Sequence, residues 1–167
     1  MSEKLTFTGP LRPIDRTAAS FAQARVEASP RHRAIARYHD HHEAVQRMLN
    51  AVEPASYVRP HRHADPAKVE VFVVLTGRAV VLTFDDEGTL QSTLEIAAGG
   101  PCWGVEIPPG TWHSLISLEA GTVLYEVIEG AYQPASHKDY APWAPAEGTE
   151  EGQRYLEALR AGLSRVE

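Results

Sequence analysis

At 167 residues the chain is long enough to bury a sizeable core and is most simply one domain. Sixteen basic against twenty-two acidic residues give a formal charge of -6, which speaks against a sequence-independent grip on nucleic-acid phosphates. The single cysteine, Cys102, excludes an internal disulfide framework; with no signal-like or long apolar span in the text, the expected setting is a reducing cytoplasm without a membrane partner.

Residues 1–14 are polar, carry Pro10 and Pro13, and read as an arm or a short edge strand. Asp15 then opens a helix. Its carboxylate can accept from free amides of the first turn, and Ala18, Phe21, Ala22, Arg25 and Val26 follow at helical spacing until Ser29-Pro30 breaks the run. The weakly apolar face of this helix is expected to lie on a sheet or on a partner chain. Residues 33–38 read as a strand. The run His39-Asp40-His41-His42-Glu43 is rich in ligand-type side chains, but it lacks a same-face pair on a strand with a distant closing ligand, so it reads as a solvated turn. His32 and His137 stand alone and read as surface or satisfied structural residues.

Residues 45–52 alternate apolar and polar side chains and end at the turn Glu53-Pro54-Ala55-Ser56, as a strand would. After the segment Pro60-His61-Arg62-His63, residues 69–75 form a dense β-branched run expected to be buried on both sides. Strands follow at 79–84, 90–96, 103–107, 113–118 and 122–128. Asp85-Asp86-Glu87-Gly88, Gly99-Gly100-Pro101, Pro108-Pro109-Gly110 and Glu119-Ala120-Gly121 supply the reversals. Many short strands at steady spacing predict an antiparallel sandwich or barrel of jelly-roll type rather than an alternating α/β chain. Residues 130–151 read as an irregular crossing segment pinned by Tyr132, Tyr140 and Trp143. Residues 150–166 place Tyr155, Leu156, Leu159, Leu163 and Val166 on one face of an amphipathic helix, acidic at its start and carrying Arg160 and Arg165 near its end.

The chemistry concentrates between the predicted strands. His61 and His63 stand at i and i+2, so on an extended segment their imidazoles share one side. Glu70 opens the next strand, and His113 follows the Pro/Gly turn and can close the set from a neighbouring strand. This order of His-x-His, Glu70, Gly77 and then Pro109-Gly110-Thr111-Trp112-His113 resembles the two signature motifs of the cupin superfamily. Ala55 replaces the usual opening glycine of the first motif and Ser117 the usual closing asparagine of the second, and neither is a ligand position. Between His63 and Glu70 the spacing is wider than the family habit, which calls for a broad turn over residues 64–68.

The resemblance extends further. Ser29-Pro30-Arg31-His32-Arg33, Val45-Gln46-Arg47-Met48-Leu49, Pro60-His61-Arg62-His63, Val105-Glu106-Ile107-Pro108 and Ala141-Pro142-Trp143-Ala144-Pro145 together resemble the WbuC-type cupin-fold metalloproteins, from about Ile14 to Leu159. That likeness implies a small β-barrel holding one divalent metal, and an association with polysaccharide gene neighbourhoods.

The expectation is therefore an all-β cupin jelly roll with flanking helices: an arm and helix over 1–32, a barrel over 33–129, and a tail with a C-terminal helix over 130–167. One divalent transition metal, Zn, Fe, Mn or Ni, is expected at His61, His63, Glu70 and His113, a ligand set that leaves positions for water or substrate. The activity read from this site is isomerisation or epimerisation of a sugar or sugar-derived acid, with Glu126 as the base. An Fe(II)-dependent dioxygenase of a small organic substrate and a non-catalytic carbohydrate-binding or sensor module are the alternatives. For Glu126, which interrupts an apolar strand, an ion pair with Arg47 or Arg59 is the competing structural role. Glu106 is a second acidic candidate. Tyr57 and Tyr125 read as barrel-wall residues, Cys102 as a small buried hydrophobe, and Trp103 and Trp112 as core. A homodimer pairing exposed barrel strands is the expected assembly.

Overall fold

A computed structural model describes residues 3–163. Asp15 caps α1 (Arg16–Gln23), its side chain accepting from the Ala18 amide at 2.9 Å. Ten strands follow: β1 (Arg33–Arg37), β2 (Val45–Val52), β3 (His61–Arg62), β4 (Glu70–Thr76), β5 (Arg78–Phe84), β6 (Leu90–Ala97), β7 (Gly104–Ile107), β8 (Trp112–Ser117), β9 (Thr122–Glu129) and β10 (Asp139–Tyr140). The chain is described to the end of α2 (Glu150–Leu163). The predicted contributions of Arg165 and Val166 to that helix lie outside the described residues.

The strands form two five-stranded antiparallel sheets, ordered β1-β2-β9-β4-β7 and β10-β3-β8-β5-β6. Because opposed residues share a face, the register decides what points where. On the first sheet Met48 opposes Glu126, which opposes Phe72, so these three face the same way. Between the sheets, Val52, Phe72, Val74, Ile107 and Leu124 meet Ala79, Val81, Ile96 and Leu115. Burying each of these side chains other than Ala79 contributes roughly 1.5–3 kcal/mol. The outer face of the first sheet, with Ala36, Leu49, Ala51 and Val123, is covered by Ala18, Ala19 and Ala22 of α1. The outer face of the second, with Val80, Leu82, Phe84, Trp112 and Ile116, is covered by Ala141, Ala144 and Leu156.

Turn chemistry behaves as read. Asp85 Oδ1 accepts from the amides of Glu87 and Thr89, closing the β5–β6 hairpin. Gly77 takes φ +75 directly against Thr122, where a Cβ would collide with the threonine side chain. The broad turn after His63 contains a cis Asp65–Pro66 bond and a bridge between Ala64 and Ala67.

Three expectations need correcting. β4 is not buried on both sides: Glu70, Phe72 and Val74 are buried while Val73 is 37% exposed, since only the inner face meets the opposite sheet. Trp103 is 66% exposed rather than core; Trp112 is buried. The His39–Glu43 turn is solvated at His41 and His42, but His39 is buried, with Nδ1 accepting from the Arg47 amide at 2.9 Å. Among the described residues no helix is long and apolar enough to cross a membrane.

Along β4 and β8 the inward positions change from polar to apolar. Glu70 precedes Phe72 and Val74, and His113 precedes Leu115. One mouth of the jelly roll is therefore polar, and the apolar packing closes the other end.

Candidate metal centre

Four side chains meet at the polar mouth. His61 on β3 opposes His113 on β8, which places their rings 4.4 Å apart between centroids. His63 follows two positions on, 5.4 Å from His61 and 5.8 Å from His113. Glu70 enters from the opposite sheet, with Oε2 lying 2.8 Å from His113 Nε2 and 3.2 Å from His63 Nε2. All four residues are at most 3% exposed, and their ligand-type atoms lie within 4.8 Å of one another.

The tautomers follow from the backbone. Nδ1 of His61 faces the Arg59 carbonyl at 2.9 Å, that of His63 the His137 carbonyl at 2.5 Å, and that of His113 the Thr111 carbonyl at 2.8 Å. A carbonyl only accepts, so each Nδ1 carries the proton and each Nε2 presents a lone pair inward. Those three Nε2 atoms and Glu70 Oε2 are buried without a hydrogen-bond partner among the described residues. Lone pairs facing a carboxylate at these distances repel one another unless a cation lies among them. Two bonds of about 2.1 Å on opposite sides of one ion span about 4.2 Å, so the observed set needs only a small inward adjustment to close on one. A buried set of three imidazoles and one carboxylate thus fits a single divalent ion, and its donor types suit Zn, Mn, Fe or Ni.

The electrostatics agree with a ligand set in its deprotonated state. Burial, followed by the charge of Lys138, pushes His61 well below the usual imidazole range and keeps it neutral.

Beside this cluster stands Glu126 on β9, 6% exposed, with Oε2 accepting from Asn50 Nδ2 at 2.8 Å. Burial, followed by the nearby charge of Glu70, raises its pKa to about 7. The ion pair weighed for it in sequence is absent: the Arg47 guanidinium pairs with Glu43, and Arg59 donates to the Ala141 carbonyl. Arg47 lies on the face of the first sheet opposite to Glu126.

Glu126 also lines a cavity of about 810 Å³ between β1, β2 and the segment after β9, together with Met48, Asn50, Tyr132, His137 and Lys138. Two of these neighbours carry no signal in the sequence. His137, read there as an isolated histidine, packs its ring 5.2 Å from that of His63, and its buried Nδ1 has no partner. Burial, followed by the charge of Lys138, lowers its pKa to about 3. Lys138 sits on the same wall; burial lowers its ammonium pKa, and Glu70 and Glu126 oppose that fall. Both residues belong to an irregular stretch with no periodicity, brought to the mouth because the Ala141 amide donates to the Pro60 carbonyl and Tyr140 opposes His61. The other candidates lie elsewhere. Glu106 is exposed. Tyr57 donates its hydroxyl to the Pro145 carbonyl on the outer side of the second sheet, and Tyr125 packs toward α1. Cys102 is half-buried, donating to the Gly104 carbonyl.

Residues 14–96 match a family described as a domain of unknown function, DUF6016. No curated protein matches the sequence. Among solved structures the chain is similar to CapF bound to the inhibitor 3-isopropenyl-tropolone, at 19% identity and a TM-score of 0.51, over 64% of this chain and 31% of that one. It is also similar to oxalate decarboxylase from Bacillus subtilis, at 20% identity and a TM-score of 0.47, over 59% of this chain and 24% of that one. The chain thus spans less than a third of the length of either structure. The paired sheets and the likeness to CapF show a jelly-roll fold.

Proposed function

We propose that this protein is a metal-dependent cupin enzyme that isomerises or epimerises a sugar-like substrate by moving a proton at carbon. The observation carrying this reading is the position of Glu126: a buried carboxylate outside the four-residue cluster, adjacent to it, and open to the cavity. His61, His63, Glu70 and His113 would hold the ion, which when bound supplies Lewis-acid polarisation of a carbonyl or hydroxyl oxygen. Glu126 takes the proton from the adjoining carbon and returns it to the same or a neighbouring one. Asn50 holds that carboxylate by one oxygen.

The wording shared with WbuC-type cupins supports a carbohydrate-like substrate. A cytoplasmic homodimer is part of the same reading. It is supported by β6, the unpaired edge of its sheet, which leaves Leu90 and Leu94 exposed.

The deciding experiment incubates the protein, loaded in turn with Zn, Mn, Ni and anaerobic Fe(II), with polyhydroxylated substrates in deuterated water. Deuterium entering a carbon position is the expected result. Oxygen consumption with Fe(II) and no exchange would replace this reading with the dioxygenase, and saturable binding without turnover under every metal would replace it with the sensor module.

A further inference from the structure

Resting on the reading of this cavity as the substrate site, the geometry points to an anionic substrate, a polyhydroxylated carboxylic acid whose carboxylate is received by Lys138. Lys138 lines the cavity and engages no hydrogen bond or ion pair among the described residues, although its charge is felt at Glu70 and Glu126. Two guanidiniums of the same wall, Arg31 and Arg33, are already engaged with one carboxylate. Arg33 donates to both oxygens of Glu147 at 2.6 and 2.7 Å, and Arg31 shares the same carboxylate at 3.2 Å.

The balance of charge points the same way. Once a divalent ion sits in the four-residue cluster, its charge offsets Glu70 and Glu126. Two guanidiniums share the one carboxylate of Glu147. The ammonium of Lys138 is left to be answered from the cavity, which favours an anion there and disfavours a neutral sugar.

Hydrogen-bonding capacity supplies the second part of the description. Asn50 spends its amide nitrogen on Glu126, and its Oδ1 is buried without a partner; the Nδ1 of His137 is also buried and unpartnered. Both atoms belong to residues of the cavity wall. A hydroxyl-bearing ligand satisfies Asn50 Oδ1 by donating to it, and a second hydroxyl answers His137 Nδ1. A ligand carrying both a carboxylate and hydroxyls therefore answers these three groups of the cavity wall. A neutral polyol leaves the ammonium unanswered, and a simple fatty acid leaves the two polar atoms unanswered.

The test uses the full chain loaded with one equivalent of zinc, with binding followed by calorimetry and saturation-transfer NMR. The probes are two matched pairs: D-galacturonate with D-galactose, and D-gluconate with D-glucitol. At least one acid is expected to bind, with its neutral counterpart weaker by about tenfold or more, the worth of a charge-assisted hydrogen bond. Lys138→Met should remove that preference, and Lys138→Arg should keep it, while zinc stoichiometry and thermal unfolding stay those of the parent. Equal affinity for acid and neutral partner, a preference that survives Lys138→Met, or no binding of either acid would each overturn the inference. Failure of the proton-transfer reading looks different: the acid binds through Lys138 and no deuterium enters its carbon skeleton.

Discussion

Supplying a divalent metal should stabilise this protein substantially, and the effect should depend on His113. The metal-free site holds four buried atoms without partners, three imidazole Nε2 and Glu70 Oε2. Each costs about 1–3 kcal/mol when left unanswered. An ion that binds the folded chain alone adds RT ln(1 + [L]/Kd), which is about 2.7 kcal/mol at a hundredfold excess over Kd. For a chain of this length each kcal/mol raises the midpoint by roughly 2–4 °C, so an increase of about 5–11 °C is expected. Differential scanning calorimetry of chelator-treated protein, with Zn, Mn, Ni or anaerobic Fe(II) added back, measures it directly. His113→Ala removes one donor and the group 2.8 Å from Glu70, and should lose most of the shift. The reasoning is refuted if no metal shifts the parent midpoint, or if His113→Ala shifts as far as the parent. The latter would move binding to another place, such as the His39–Glu43 turn.

Glu126→Gln keeps the shape at β9 and the contact to Asn50 but cannot take a proton; exchange of substrate carbon-bound hydrogen should fall by about 10²–10⁴-fold while metal analysis still finds one ion per chain. Leu124→Ala, at a position with no exposure between the sheets, should destabilise by about 2–5 kcal/mol in urea unfolding without altering metal stoichiometry. Burial would raise the Glu147 carboxyl, but Arg33 and the Arg59 amide hold it below its ordinary value. Its stabilisation is therefore complete above the unfolded value of about 4.3 and is lost as pH falls through the lower folded value. Glu147→Gln should be less stable than the parent at neutral pH and should lose less stability on acidification, as read from unfolding midpoints between pH 7 and pH 3.

Much of the architecture could be read from local signals. Asp15 announces its helix because an aspartate before an apolar-periodic run has free amides to accept from, and its side chain does so at Ala18. The strand edges fall close to the Gly and Asp turns because those residues alone relieve the backbone at tight reversals, as Asp85 does with two amides. His61 and His63 could be paired from their spacing, and His113 could be placed after its Pro/Gly turn, since strand alternation converts i, i+2 spacing into a shared face.

What remained depended on contacts between distant segments. Burial of β4 on one face rather than two follows from which layer covers it, and composition is blind to that choice. Trp103 lies 66% exposed although its residue type predicts burial, because β7 is the last strand of its sheet. Glu126 has Asn50 and not an arginine as its partner, a matter of the β2–β9 register, which puts the arginine of the same strand on the opposite face. His137 and Lys138 reach the site only through the pairing of β10 with β3. Periodicity along the chain thus determined the elements and the candidate ligands, because alternation and turn chemistry act between neighbours in sequence. The cavity, its charge and the groups left without partners were decided by the tertiary structure, because they arise where segments more than sixty residues apart close over one another.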